Sequence, residues 1–262
     1  MKSFALCTGG TAAVSDEAIT VSFPAPRRSL STAIFGGGFR MIRYAVNRKL
    51  TVYCHSEKDL PGGSVSGYLK QSLREMNLDP AWGNALITTA RMDQYSHIVK
   101  RCGDIIVELI ATAGVEKTAA RAGSPAMYEE TGNGVYCPTG TINLMACTNA
   151  SLPDGIIARS LITLTEGKTA ALQDLGIADV RTGLPATGSA TDGITLVTDP
   201  SGPRRTDAGT FSKLGELLGS AARDAVSECI VSFDHPWNRF AVLSTPSPIP
   251  SEILESSSGA GS

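Results

Sequence analysis

The stretch Asp104-Ile105-Ile106-Val107-Glu108-Leu109-Ile110-Ala111-Thr112 decides the fold class. It is rich in β-branched residues and is bounded by Gly103 and Gly114, which is the signature of a buried strand rather than a helix. Working outward, shorter runs of the same kind stand at residues 3–7, 18–23, 85–89, 96–99 and 193–198, and residues 139–148 read as a turn leading into another. Residues 31–35 read as a strand that ends in Gly36-Gly37-Gly38, after a Pro-containing break at residues 24–28. Residues 50–54 read as one more strand. Helical spacing appears at residues 64–76, with Ser64 placed to cap the first turn. It returns at residues 153–172, where Ile156, Ile157, Leu161, Leu164, Ala171 and Leu172 form an apolar stripe and Gly176 follows as a stop. Residues 210–231 form a third helix rich in small residues. Strands cluster in the first half and the long helices come late. This order predicts an α+β fold, a mixed β-sheet packed against helices, with a layered αββα arrangement as its form and a single domain. Residues 1–244 make that domain, and the Ser/Pro/Gly-rich residues 245–262 read as a flexible tail.

Composition narrows the function. The chain has 262 residues, 42% of them hydrophobic and 18% charged. That length supports a full core without a disulfide or metal staple. With 23 Lys+Arg against 25 Asp+Glu the net charge is −2, which lacks the basic excess of a nucleic-acid binder. No apolar run is long enough to span a bilayer, and the apolar stretch before Gly9-Gly10 is too short for a signal-peptide core. Six cysteines (Cys7, Cys54, Cys102, Cys137, Cys147 and Cys229) are scattered without a CxxC pair, so they read as reduced thiols. The expectation is a cytoplasmic protein with no nucleic-acid or membrane partner; a homo-oligomer stays open.

Familiar catalytic signatures are missing: no GxGxxG after a strand, no GxxxxGK[ST], no GxSxG and no HExxH. His55, His97 and His235 are isolated, and no spaced ligand cluster suggests a metal or other cofactor. What stands out is a set of Thr/Gly/Asn/Asp segments: Pro138-Thr139-Gly140-Thr141-Ile142-Asn143, Thr165-Glu166-Gly167-Lys168, Ala186-Thr187-Gly188-Ser189-Ala190-Thr191-Asp192-Gly193, and the Gly36-Gly37-Gly38 turn. Gly beside Thr and Asn lets backbone N–H groups and short side-chain donors converge on one oxygen, as stabilising an oxyanion in acyl transfer requires. A carboxylate at Glu166 suits a general base, although Glu166 and Lys168, two apart on a helix, face different directions. Each segment also has a plain reading: a turn entering a strand, a solvated helix face, an Asx or Ser/Thr turn. Thr141, Glu166, Lys168 and Asp192 are the candidate catalytic residues. Gly36, Gly37, Gly38, Asn143, Thr165, Thr187, Gly188 and Thr191 are the candidate substrate-binding residues.

In this order, and together with Ser31-Thr32, Thr88-Thr89-Ala90, Ala111-Thr112-Ala113-Gly114, Ala208-Gly209-Thr210, Leu214-Gly215 and Leu218-Gly219, these segments resemble the adenosylcobinamide amidohydrolases of corrinoid salvage. The likeness runs from about residue 31 to about residue 230. Gly167 and Ser189 depart from the family pattern, which carries Ala and Thr there. The resemblance implies hydrolysis of the amide that joins the aminopropanol arm to the corrin ring, giving adenosylcobyric acid and 1-amino-2-propanol. Cobalt would arrive within the substrate, and the long polar segment 113–134 would line a groove wide enough for a flat macrocycle. Two other readings stand beside it: an amide hydrolase for another metabolite such as a siderophore, and a non-catalytic corrinoid-binding protein. The order of segments is also loosely similar to that of ornithine acetyltransferase-type proteins, which split their own chain at a Thr that becomes the nucleophile.

Overall fold

The computed structural model describes residues 1–52, 54, 56–125 and 140–231. Eleven strands and three α-helices are seen in these residues: β1 Lys2–Leu6, β2 Gly10–Val14, β3 Ala18–Ser31, β4 Gly38–Lys49, α1 Val65–Glu75, β5 Gly83–Thr88, β6 Tyr95–Cys102, β7 Ile105–Thr112, β8 Ala119–Ala120, β9 Asn143–Thr148, α2 Asp154–Asp174, β10 Gly188–Ser189, β11 Gly193–Thr198 and α3 Lys213–Val231. Nine of the strands form one mixed sheet, with β1-β2-β3-β11-β9-β7-β6 as its main path and β4 joining β3 to β5. The fold is α+β, as the sequence indicates.

Three buried clusters show how this sheet is layered. In the middle one, Leu6, Ile19, Val21, Ile42 and Leu86 from the β1–β5 half meet Ile110, Met145, Cys147 and Val197 from the β7, β9 and β11 half. The ladder therefore folds over on itself and its two halves stack face to face. Strand β3 makes the turn possible. Its first half pairs with β2 and its second half with β11, and its register with β4 shifts between Ser22 and Arg27. Pro24 and Pro26, which have no N–H to give a ladder, sit in that irregular gap. The break read at residues 24–28 is thus a bend inside one long strand.

Helices cover both outer faces. On one side α1 lays Val65, Leu69 and Leu73 against Val46 and Ala85. These residues recur every four positions, and Ser64 caps the helix by accepting from Gly67 N. Each buried Leu contributes roughly 2 kcal/mol, so Leu69→Ala or Leu73→Ala would loosen this layer. On the other side α2 and α3 cover β7, β9 and β11 through Ile157, Leu164, Leu172, Leu218, Ala221 and Val226. The two helices cross closely: a Cβ on Gly167 would lie 2.3 Å from the Gly219 carbonyl oxygen. Strand β7 is buried on both faces, which is why its run of apolar residues is nearly unbroken.

Two expected strands are corrected. The run at residues 31–35 is not a strand; β3 stops at Ser31, which pairs with Gly38, and residues 32–37 are the hairpin loop between β3 and β4. Thr32 accepts from Ile194 N and ends the pairing there. Residues 50–54 are not a strand either. Leu50 donates to Thr88 O (2.8 Å) and the chain then leaves the sheet, with Leu50 and Cys54 packing in the α1 layer. Strand β4 and strand β2, whose Gly10-Thr11-Ala12-Ala13 lacks bulky β-formers, are not among the strands read from the sequence, and the pair β8–β10 has only two residues in each strand. Parts of the segment 113–134, the start of the 139–148 turn, and the tail 245–262 lie outside the described residues.

Candidate active site

Strands β9 and β11 are parallel neighbours, with Asn143 opposite Gly193. Continuing that register backward sets Ile142 beside Asp192 and Thr141 beside Thr191. The hydrogen bonds follow suit. Thr141 Oγ1 and Thr191 Oγ1 lie 2.6 Å apart, and Ile142 N donates to Asp192 Oδ1 at 3.2 Å. Two segments fifty residues apart in sequence are thus joined by strand pairing and by side-chain hydrogen bonds that continue its register.

The Asp192 carboxylate is the hub. Besides Ile142 N it accepts from Ser189 N and Ser189 Oγ, and it forms an ion pair with Lys168 Nζ from α2. The pair is largely buried, its side chains 8% and 14% exposed. Gly188 lies against it: a Cβ there would stand 2.3 Å from Asp192 Oδ2 and 2.7 Å from Lys168 Nζ. Only a residue without a side chain lets the backbone come that close. Thr187 anchors the same turn, accepting from Ala122 N through its hydroxyl and from Thr169 Oγ1 through its carbonyl.

Thr141 is itself buried, and both sides of its peptide are held. Gly140 donates to Thr89 Oγ1 (2.8 Å), and the Thr141 carbonyl accepts from Gly114 N (3.2 Å). Gly140 has φ +75, a left-handed conformation that favours glycine, and a Cβ there would strike Thr118 Oγ1 and the Gly114 carbonyl. Beneath Thr141, Asn143 donates to Asn47 Oδ1 and Ile87 O, and Asn47 donates to Thr112 Oγ1. This buried amide chain ties the head of β9 to the ends of β4, β5 and β7, across both halves of the sheet. Sequence reading missed Asn47, whose signal is a lone Asn, a residue disfavoured in strands, inside an otherwise strand-like run.

Of the candidate residues, Thr141, Asn143, Lys168, Thr187, Gly188, Thr191 and Asp192 come together. Thr165 and Glu166 do not. Both are exposed on the outer face of α2, with Thr165 Oγ1 bonded back to Leu161 O and Glu166 lining a separate groove. Gly36, Gly37 and Gly38 sit farther along a loop whose first residue, Thr32, is bonded to Ile194 at the head of β11. Their turn packs on the start of β5, a Cβ on Gly36 reaching 2.5 Å from Gly83 O, whereas Thr89 of the cluster follows the end of β5. Strand β5 is roughly 17 Å long. Next to this turn Asn84 is fully buried and its amide has no hydrogen-bond partner among the described residues.

Hydroxyl, carboxylate and ammonium groups thus meet at the heads of two parallel strands of a layered fold. The chain belongs to the adenosylcobinamide amidohydrolase family, whose model matches residues 5–234. An uncharacterized protein of Methanocaldococcus jannaschii is 31% identical over 233 residues, which cover 82% of this chain and 86% of that one. A Halobacterium salinarum protein named adenosylcobinamide amidohydrolase is 26% identical over 174 residues, 65% of this chain and 69% of its own. Among solved structures, a Pyrococcus horikoshii protein gives a TM-score of 0.48 at 10% identity, covering 92% of this chain and 89% of its own. An L-aminopeptidase D-Ala-esterase/amidase from Ochrobactrum anthropi gives 0.40 at 9% identity, covering 87% and 85%.

Proposed function

We propose that the chain hydrolyses the amide between the aminopropanol arm and the corrin ring of adenosylcobinamide, releasing adenosylcobyric acid and 1-amino-2-propanol. Family membership supports the substrate class. The observation that carries the chemistry is the Thr141–Thr191 hydroxyl pair, set beside the buried Lys168–Asp192 ion pair. Thr141 is the candidate nucleophile. Its hydroxyl is aimed by Thr191, and a fixed donor–acceptor direction is what an attacking oxygen needs. Asp192 and Lys168 act on geometry: the carboxylate ties the Ile142 and Ser189 N–H groups together, and the ammonium neutralises it where water is scarce.

The test is incubation with adenosylcobinamide and mass spectrometry of the products. Release of 1-amino-2-propanol by the parent chain, and its loss by at least about a hundredfold in Thr141→Ala, is the expected result. Turnover of other amides but not of adenosylcobinamide would move the substrate elsewhere, a siderophore amide being one choice. A shift in the visible spectrum of the corrinoid with no amine released would mark a binding protein instead.

A further inference from the structure

Among the described residues nothing covers the outer face of α2. Gly155, Ala158, Arg159, Ile162, Thr165 and Glu166 are all exposed along it, with Ile162 59% exposed at the centre. Beside them runs a groove of about 540 Å³, walled on its far side by Gly209 and Thr210. The next residue, Phe211, is fully exposed. The groove pairs the small residues Gly155, Ala158 and Gly209 and the apolar Ile162 with Arg159 and Glu166, so it can take an aromatic side chain such as Phe211 while offering charge at its rim. A surface carrying both is complementary to itself under a two-fold rotation.

Charge gives the register. Arg159 lies three residues before Ile162 and Glu166 four after it. On a helix these stand about 5 Å to either side of Ile162 along the axis. If two α2 helices lie antiparallel across a two-fold axis beside Ile162, Arg159 of each copy faces Glu166 of the other. Among the described residues the Arg159 guanidinium lies over Gly209 and makes a loose ion pair with Asp207, 3.6 Å, with both groups more than half exposed. Its guanidinium is therefore available to a second carboxylate. We infer that the chain forms a two-fold dimer through α2, with Ile162 at the axis, Arg159 paired to Glu166 of the second copy, and Phe211 of each copy seated in the groove of the other. This assigns the exposed Glu166 an interfacial role and does not depend on which amide the enzyme cleaves.

Sedimentation velocity across the micromolar range tests it on the full chain. A dimer is expected, weakened by salt as paired surface charges are. Phe211→Ser removes the aromatic ring and should raise the dimer dissociation constant by about tenfold or more. Arg159→Glu and Glu166→Arg should each weaken the dimer by about tenfold, and the double exchange should restore most of it. Asp207 stays in place in every variant, so comparing the single Arg159→Glu with the double isolates the contact between copies. Circular dichroism of each variant separates lost association from lost folding. A monomer at all concentrations overturns the inference. So does a dimer indifferent to Phe211→Ser, or charge variants that weaken association singly without recovery in the double.

Discussion

Gly188→Ala offers the sharpest test of the site geometry. The added methyl carbon would stand 2.3 Å from Asp192 Oδ2 and 2.7 Å from Lys168 Nζ. Both are roughly 1 Å short of ordinary non-bonded contact. Neither atom can retreat cheaply. Asp192 is pinned by the N–H groups of Ile142 and Ser189, and Lys168 has a side chain only 8% exposed. The methyl must therefore wedge between the two halves of the ion pair or shift the turn that carries Thr191. Overpacking costs about 1–3 kcal/mol and breaking a buried pair about 3–5 kcal/mol, so a loss of about 3 kcal/mol is expected. Urea unfolding should show it as a lower midpoint at an unchanged slope. In a Lys168→Met background one of the two colliding atoms is gone, and the same substitution should then cost only about 1 kcal/mol. A loss below about 0.5 kcal/mol in the parent chain, the size of an ordinary surface change, would refute the close approach on which the site is built.

Acid stability depends on Asp179. The N–H groups of Arg181, Arg121 and Thr182 and the Ser124 hydroxyl hold its carboxyl well below the usual carboxylate range. A carboxyl lowered in the folded state contributes stability that is complete above pH ~4 and is lost as the pH falls toward the folded value. Asp179→Asn should accordingly lower the melting temperature at pH 7 by several degrees and flatten its decline below pH 4; an equal decline in both proteins would sink the assignment. Cys147 and Cys229 are buried, and burial pushes both thiols up to about 12. A disulfide reagent at pH 8 should label Cys7 and Cys102 in the native protein and reach these two only after denaturation. Intact-mass spectrometry addresses the likeness to self-splitting proteins. A single full-length species is the outcome expected if Thr141 acts from within the intact chain, and fragments ending at Gly140 and beginning at Thr141 would make Thr141's own amine the base.

Much of the fold was legible because periodicity reports burial. The β7 run is apolar on both faces, the stripe of α2 spans its whole length, and β11 coincides with residues 193–198. Failures came where local pattern and pairing part company. Residues 31–35 and 50–54 look like strands because Ala33 and Cys54 are buried in cores, yet their backbones serve a hairpin loop and an exit from the sheet. Within the site, Glu166 was the weak choice on physical grounds already present in the sequence. Two residues along a helix turn a side chain by about 200°, so a helix that sends Lys168 inward to Asp192 sends Glu166 outward to solvent. Gly36, Gly37 and Gly38 show the converse limit, since a glycine run announces a tight turn without saying which end of a strand it adjoins.

The site itself rests on one topological fact. Helix α2 is a crossover that leaves the end of β9 and returns the chain to the head of β11, so the two strands run parallel with their first residues side by side. Antiparallel pairing would have put Thr141 and Thr191 at opposite edges of the sheet. Parallel pairing out of step by one residue would have turned Thr191 and Asp192 to the wrong faces. Register is fixed because every residue of both strands is buried, so a slip would exchange two packed faces at once. The same crossover explains the ion pair: the helix that makes the strands parallel must pass near the head of β11, and Lys168 is its inward residue at that height. The arrangement of hydroxyls and charges follows from how the core is packed, and substitutions that disturb the packing between β9 and β11 should therefore impair activity before they unfold the chain.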